Sequence, residues 1–219
     1  MTGISLENRF RGFLPVAVDV ETGGLIPETD ALLEISAVLL RMDAEGNLFP
    51  EEPLALAVRP FEGARIDPAS LKLIGIDPHD PEREAVSEKE ALETVFKAVR
   101  QAVREHHCQR AVLLGHNAAF DLAVVNAACE RCRIKRNPFH PFSTLDTVSL
   151  GAVAFGQTVL SRIAEQAGLG WDEDQAHSAR YDAYMTARVF CSIVNRWQDE
   201  YRRLADEARR MQAEEKSAD

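Results

Sequence analysis

Five side chains in this sequence could together handle a divalent cation and a water molecule: Asp19, Glu21, Asp121, Asp182 and His177. Asp19 and Glu21 stand two apart at the end of an apolar run whose Val16, Val18 and Val20 alternate as a strand does. Side chains on a strand alternate between faces, so both carboxylates project from the same one. Two carboxylates side by side repel unless a cation or a proton lies between them. They give way to Thr22-Gly23-Gly24, at the carboxyl end of the strand, where ligand sites in α/β sheets form. An isolated Asp-x-Glu is more often an ordinary polar strand end, so its meaning depends on the other acids.

Helix phase supplies them. Counting three, four, seven and eleven positions on from Asp121 gives Val124, Val125, Ala128 and Cys132, an apolar stripe that puts Asp121 on the buried face of a helix. Acids are common in a first helical turn because the dipole favours them. An inward-facing one is costly unless something compensates its charge. Asp182 repeats the pattern, with Thr186, Val189, Phe190, Ile193 and Trp197 at four, seven, eight, eleven and fifteen positions on. Four carboxylates from one strand and two helices make an all-oxygen donor set, which suits Mg²⁺ or Mn²⁺ rather than Zn²⁺. His177 lies five residues before Asp182, out of phase with the stripe and expected in the loop leading into the helix. Alone it would be an unremarkable loop histidine. Beside the acids it is the natural general base at neutral pH.

The elements that must position these residues can be read from periodicity and punctuation. Strands are expected at 13–20, 31–40 and 54–58, the last two joined by a turn at Asp43-Ala44-Glu45-Gly46-Asn47. Asp77 to Pro81 is a loop with two helix-stopping prolines. A helix follows from Ser87 to about His106, with a Ser87/Glu90 capping box and a stripe of Leu92, Val95, Phe96, Val99 and Val103. A strand at 111–114 leads to Asn117, the expected N-cap of a helix running to about Arg133. Then come a short strand at 143–145, helical stretches to Ala167 and a long helix from about Ala179. Strands first and alternating helices afterwards predict an α/β domain with a mixed sheet covered by helices. One domain is expected over 1–205, with the charged, alanine-rich 206–219 fraying.

At 219 residues and 46% hydrophobic, the chain can bury a sizeable core, and wholesale disorder is excluded. No run is long enough to span a bilayer, and the first residues lack a signal peptide's apolar stretch. Cys108, Cys129, Cys132 and Cys191 show no disulfide framework, so reduced thiols in a cytoplasmic protein are expected. The net charge of −10 argues by itself against a nucleic-acid partner. Metal would neutralise several acids, however, and the bases cluster: Arg9 and Arg11, then Arg131, Arg133, Lys135 and Arg136.

Three motifs in order resemble those of the DEDDh family of 3′→5′ exonucleases: Asp19-Val-Glu-Thr-Gly-Gly24, His116-Asn-Ala-Ala-Phe-Asp121 and His177-Ser-Ala-Arg-Tyr-Asp182. Four further stretches, 10–15, 75–78, 135–142 and 156–161, resemble one RNA-trimming branch of that family, and the likeness runs from about Phe10 to Trp197. The resemblance implies a ribonuclease H-like fold and two Mg²⁺ ions, with Mn²⁺ a plausible substitute. Asp19, Glu21 and Asp182 would hold one ion; Asp19, with Asp121 through water, would help hold the other. It further implies release of nucleoside 5′-monophosphates from tRNA and other stable RNA precursors, with single-stranded DNA 3′ ends also allowed. It implies a homodimer in which the basic patch of one subunit, here Arg9, Arg11, Arg104, Arg110 and Lys135, feeds the other's site. Taken one by one, such bases are ordinary solvated charges. The branch stacks terminal bases on phenylalanines. Phe120 and Phe142 match two of those positions, whereas Leu25 and Leu73 occupy two others and Ala69 replaces an acid.

Other readings are compatible with the sequence. A DNA-proofreading or oligoribonuclease-type member of the same family is one. A catalytically silent nucleic-acid-binding module is another, although all five catalytic positions are filled. A zinc site built from Cys129-x-x-Cys132 with His106 and His107 lacks a second well-spaced pair.

Overall fold

A computed structural model describes residues 5–218. Two short 3₁₀ turns precede strand β1 (Phe13–Thr22), which is followed by β2 (Leu32–Met42), β3 (Leu48–Pro50) and β4 (Leu54–Ala57). The chain continues through α1 (Pro68–Ile74), α2 (Glu88–Glu105), β5 (Arg110–Gly115), α3 (Ala118–Arg131) and β6 (Phe139–Asp146). Helices α4 (Thr147–Phe155), α5 (Leu160–Gln166), α6 (Ala179–Arg196) and α7 (Gln198–Ala218) complete it. The six strands form one mixed sheet in the order β3-β2-β1-β5-β6, with β4 also paired to β2. β2 runs antiparallel to β1, while β5 and β6 are parallel to their neighbours. The helices flank this sheet as the sequence predicts, giving the ribonuclease H-like arrangement.

β1 is the central strand. Leu14, Val16, Ala17 and Val18 are all fully buried, so both faces of the strand are covered. Where its polar residues begin, Asp19 pairs with Ser36 and Glu21 with Glu34 on β2. A register shift after Glu21 ends the regular ladder just beyond the two acids.

Several expectations are corrected by contacts between distant parts of the chain. Asn117 does not cap α3 with its side chain; it sits in the left-handed region at φ 69°. The cap comes from Asp146 at the end of β6, whose Oδ2 accepts the Ala118 N–H at 3.0 Å, while its Oδ1 accepts that of Val148 and caps α4. One carboxylate thus fixes two helix starts. Asp146→Ala is expected to remove about 1 kcal/mol per cap and lower the melting temperature by roughly 4–8 °C, read by thermal denaturation. Trp197 does not continue the buried stripe of Asp182. It lies exposed at the junction of α6 and α7, as the C-cap of α6. α7 runs on to Ala218, and Arg203 bridges Glu200 and Glu207 at helical spacing in its first half. α1 and β3, too short to show a period, go unseen in the sequence. Among the described residues no helix is long and apolar enough to cross a membrane.

Candidate active site

Three carboxylates converge at the end of β1. Donor oxygens of Asp19, Glu21 and Asp182 all lie within 4.8 Å of one another, the one such cluster of potential metal ligands among the described residues. The strand contributes two because of its period of two; α6 contributes the third because its apolar stripe of Thr186, Val189, Phe190 and Ile193 turns Asp182 inward. One oxygen of Asp182, Oδ1, is buried with no hydrogen-bond partner. Buried polar atoms are normally paired, so an unpartnered carboxylate oxygen here fits the role of a metal ligand.

Electrostatics say the same. Burial first, and then the surrounding carboxylates, push Glu21 up to about 8 and Asp19 well above the usual carboxylate range. Burial pushes Asp182 up to about 6 despite the backbone N–H of His177. So many acids at one spot resist ionising together unless a divalent cation joins them. The all-oxygen donor set therefore fits a hard divalent ion.

Asp121 approaches from α3 but stands outside that cluster. Its Oδ1 accepts the backbone N–H of Val20 at 3.1 Å, between the two strand acids, and burial pushes it up to about 7. Gly115 permits this approach: a Cβ there would lie 2.8 Å from the Ala118 Cα and 3.1 Å from Asp121 Oδ2. His177 is exposed in the loop before α6, in the left-handed region at φ 62°. Its backbone N–H donates to Asp182 Oδ2 at 3.3 Å, which anchors the loop beside the site.

Two further acids border the site without having been singled out by sequence. Glu34 lies opposite Glu21 and raises both Glu21 and Asp19. An acid inside the apolar run of β2 was its available signal. Asp146, the double cap, raises Asp121.

The outer residues sort differently. Leu25 is 82% exposed and Phe142 80%, Leu73 is exposed, and Phe120 is half-buried beside Asp121. Arg104 and Arg110 line one open groove of about 550 Å³ together with Arg100, and Lys135 is exposed. Arg11 lies over the Phe13 ring, and that ring meets His140, which packs edge-on against Phe142. Arg9 departs from expectation. It is only 7% exposed, donates to Gln198 at 3.2 Å and sits over the rings of Phe10 and Tyr201, so it ties the first turns to α7. The cysteine pair does not form a metal centre: Cys129 is buried, Cys132 donates to Glu88, and His106 is engaged by Arg41.

The family model described as an exonuclease matches residues 16–190, spanning every acid of the site and His177. The ribonuclease T of Hahella chejuensis is 55% identical over 194 residues, 89% of each chain. That of Cronobacter sakazakii is 55% identical over 197 residues, 90% of this chain and 87% of its own. The chain belongs to the ribonuclease T family of exonucleases. It is accordingly a 3′→5′ exonuclease, a phosphodiester hydrolase acting on nucleic acid with divalent metal. Solved structures share the fold at lower identity. The nuclease domain of 3′hExo, a DEDDh family member bound to rAMP, superposes with a TM-score of 0.64 at 20% identity, covering 83% of this chain and 91% of that one. E. coli exonuclease I in complex with a dT13 oligonucleotide gives 0.65 at 19% identity; the match covers 88% of this chain and 43% of the longer protein.

Proposed function

We propose that this exonuclease trims the 3′ ends of tRNA and other stable RNA precursors, using two Mg²⁺ ions, for which Mn²⁺ can substitute, and releasing nucleoside 5′-monophosphates. Single-stranded DNA 3′ ends are also substrates. The observation that carries the metal reading is the convergence of Asp19, Glu21 and Asp182 around a buried, unpartnered Asp182 oxygen. Asp19, Glu21 and Asp182 would hold one ion, and Asp19 with Asp121 would help hold the second. The bound cations supply Lewis-acid stabilisation of the charge that builds on the phosphate and the leaving 3′ oxygen. His177, exposed and with its backbone anchored to Asp182, takes the proton of the attacking water. Phe120 and Phe142 stack on terminal bases, while Leu25 and Leu73 pack against them without stacking. Arg11, Arg104, Arg110 and Lys135 draw in the phosphate backbone, and in a homodimer this surface serves the partner's site. That arrangement reconciles an acidic chain with an anionic substrate.

The test is degradation of a 5′-labelled RNA bearing a short 3′ overhang. A ladder shortening from the 3′ end in Mg²⁺ and abolished by EDTA is expected; intact RNA in Mg²⁺ would refute the assignment. His177→Ala is expected to lower kcat by about 10²–10⁴-fold, the usual worth of a positioned general base, with KM little changed. Leu25→Phe restores a stacking face worth about 1–3 kcal/mol per base. Trimming rates across the four 3′-terminal nucleotides should then spread apart; an unchanged spread would count against a role for Leu25 in base selection.

A further inference from the structure

The loop that leaves the metal-site strand, residues 23–31, carries Leu25 at its outer side. An 82% exposed side chain has little packing of its own to hold it, so its direction is set by the backbone beneath. That backbone is tied down at its base, where Gly23 N–H donates to Ala31 and Ala31 N–H to Arg65. Farther out, Thr29 and Asp30 N–H groups both donate to the Ile26 carbonyl, and Asp30 Oδ2 accepts the Ile26 N–H at 2.9 Å. These outer bonds close the turn upon itself; on its return the Thr29 carbonyl accepts the Arg65 N–H at 2.8 Å, which leaves the Pro27–Glu28 tip to be joined to the body of the protein.

Arg131, the last residue of α3, makes that connection. Its Nη1 donates to the Pro27 carbonyl at 2.7 Å and to that of Glu28 at 3.3 Å. The rest of the guanidinium is locked from behind. Glu88, 6% exposed in the first turn of α2, accepts from Nε at 3.2 Å and from Nη2 at 2.7 Å, and the Phe61 ring lies 4.3 Å from the guanidinium carbon. Cys132 donates to the same carboxylate. A planar fork bound on two edges and stacked on a ring has a single orientation. Only that orientation presents Nη1 to both carbonyls.

We propose that Arg131, held by Glu88 and Phe61, is a positioning residue that sets the loop backbone two residues beyond Leu25 and so aims Leu25 at the terminal nucleotide of the substrate. α3 then places two parts of the site: its first turn delivers Asp121 and its last residue steadies the loop that follows Glu21. The inference rests on the proposed role of Leu25 at the 3′ end.

The experiment is a double-mutant cycle on binding, with a 5′-fluorescein single-stranded RNA, Ca²⁺ replacing Mg²⁺ to suppress hydrolysis, and anisotropy as the readout. Arg131→Lys keeps the charge beside Glu88 but cannot span both carbonyls. It is expected to weaken binding by about tenfold in the parent chain and by less than about twofold in a Leu25→Ala background, the non-additivity of coupled residues. Melting temperature should fall equally in the two backgrounds. An equal loss of binding in both, or no loss in either, overturns the proposal. Should Arg131→Lys fold poorly, Glu88→Gln with Arg131→Gln leaves no unpaired buried charge and must show the same coupling. A parent chain that binds RNA without ever cleaving it refutes the proposed function alone; one that binds no RNA refutes both.

Discussion

Asp19→Asn is expected to abolish turnover while leaving a folded protein. Asp19 lies at the centre of the carboxylate group, raised first by burial and then by Asp121, Glu21 and Asp182, and its replacement removes an acid from every pairing at once. The several kcal/mol of transition-state charge stabilisation that metal ions provide correspond to a loss of about 10³-fold or more in kcat, at tenfold per 1.36 kcal/mol. Folding should not suffer, because the amide occupies the same volume and relieves repulsion. Single-turnover kinetics with circular dichroism would decide it. Residual activity above about one-tenth of wild type would mean that Asp19 does not hold the metal.

The second large effect concerns the metal-free protein and pH. Glu21 is pushed up to about 8, Asp121 to about 7 and Asp182 to about 6. In an unfolded chain these groups titrate near about 4. A group whose pKa is raised on folding favours the fold fully below its unfolded value, and that contribution is lost as pH climbs through the folded value. EDTA-treated protein should therefore lose thermal stability steadily between about pH 4 and pH 8. A fall of roughly 5 °C or more is expected, since each 1 kcal/mol is worth about 2–4 °C in a chain of this size. Millimolar Mg²⁺ or Mn²⁺ should flatten the slope by binding the ionised acids of the native state alone. Glu21→Gln should flatten it without metal. Melting curves across that range, with and without cation, provide the check; a stability rising toward pH 8 in EDTA would contradict the assignment.

Both expectations draw on residues that the sequence marks out, and the reason is local. Asp19 and Glu21 share a face because a strand alternates; Asp121 and Asp182 turn inward because their helices carry apolar stripes. Such periodicities need no knowledge of what packs against them, so the sequence by itself determined four inward acids, the central strand and a mixed sheet flanked by helices. Glu34 escaped notice because its partner Glu21 lies on another strand, and a cross-strand neighbour is invisible until the register is known.

What only the tertiary structure decided follows the same rule in reverse. Asn117 has the right residue type and position for a cap, but Asp146, far along the chain, reaches both helix starts and displaces it. Arg9 looks like surface charge until α7 folds over it with Gln198 and Tyr201. Arg131, one base in a basic stretch, becomes an anchor only when α2 supplies Glu88 and the loop supplies two carbonyls. Spacing along an element is written in the chain because backbone geometry fixes which side chains share a face. The partner of a charge or of a free N–H is decided by which distant segments packing brings within about 3 Å, and no local pattern encodes that.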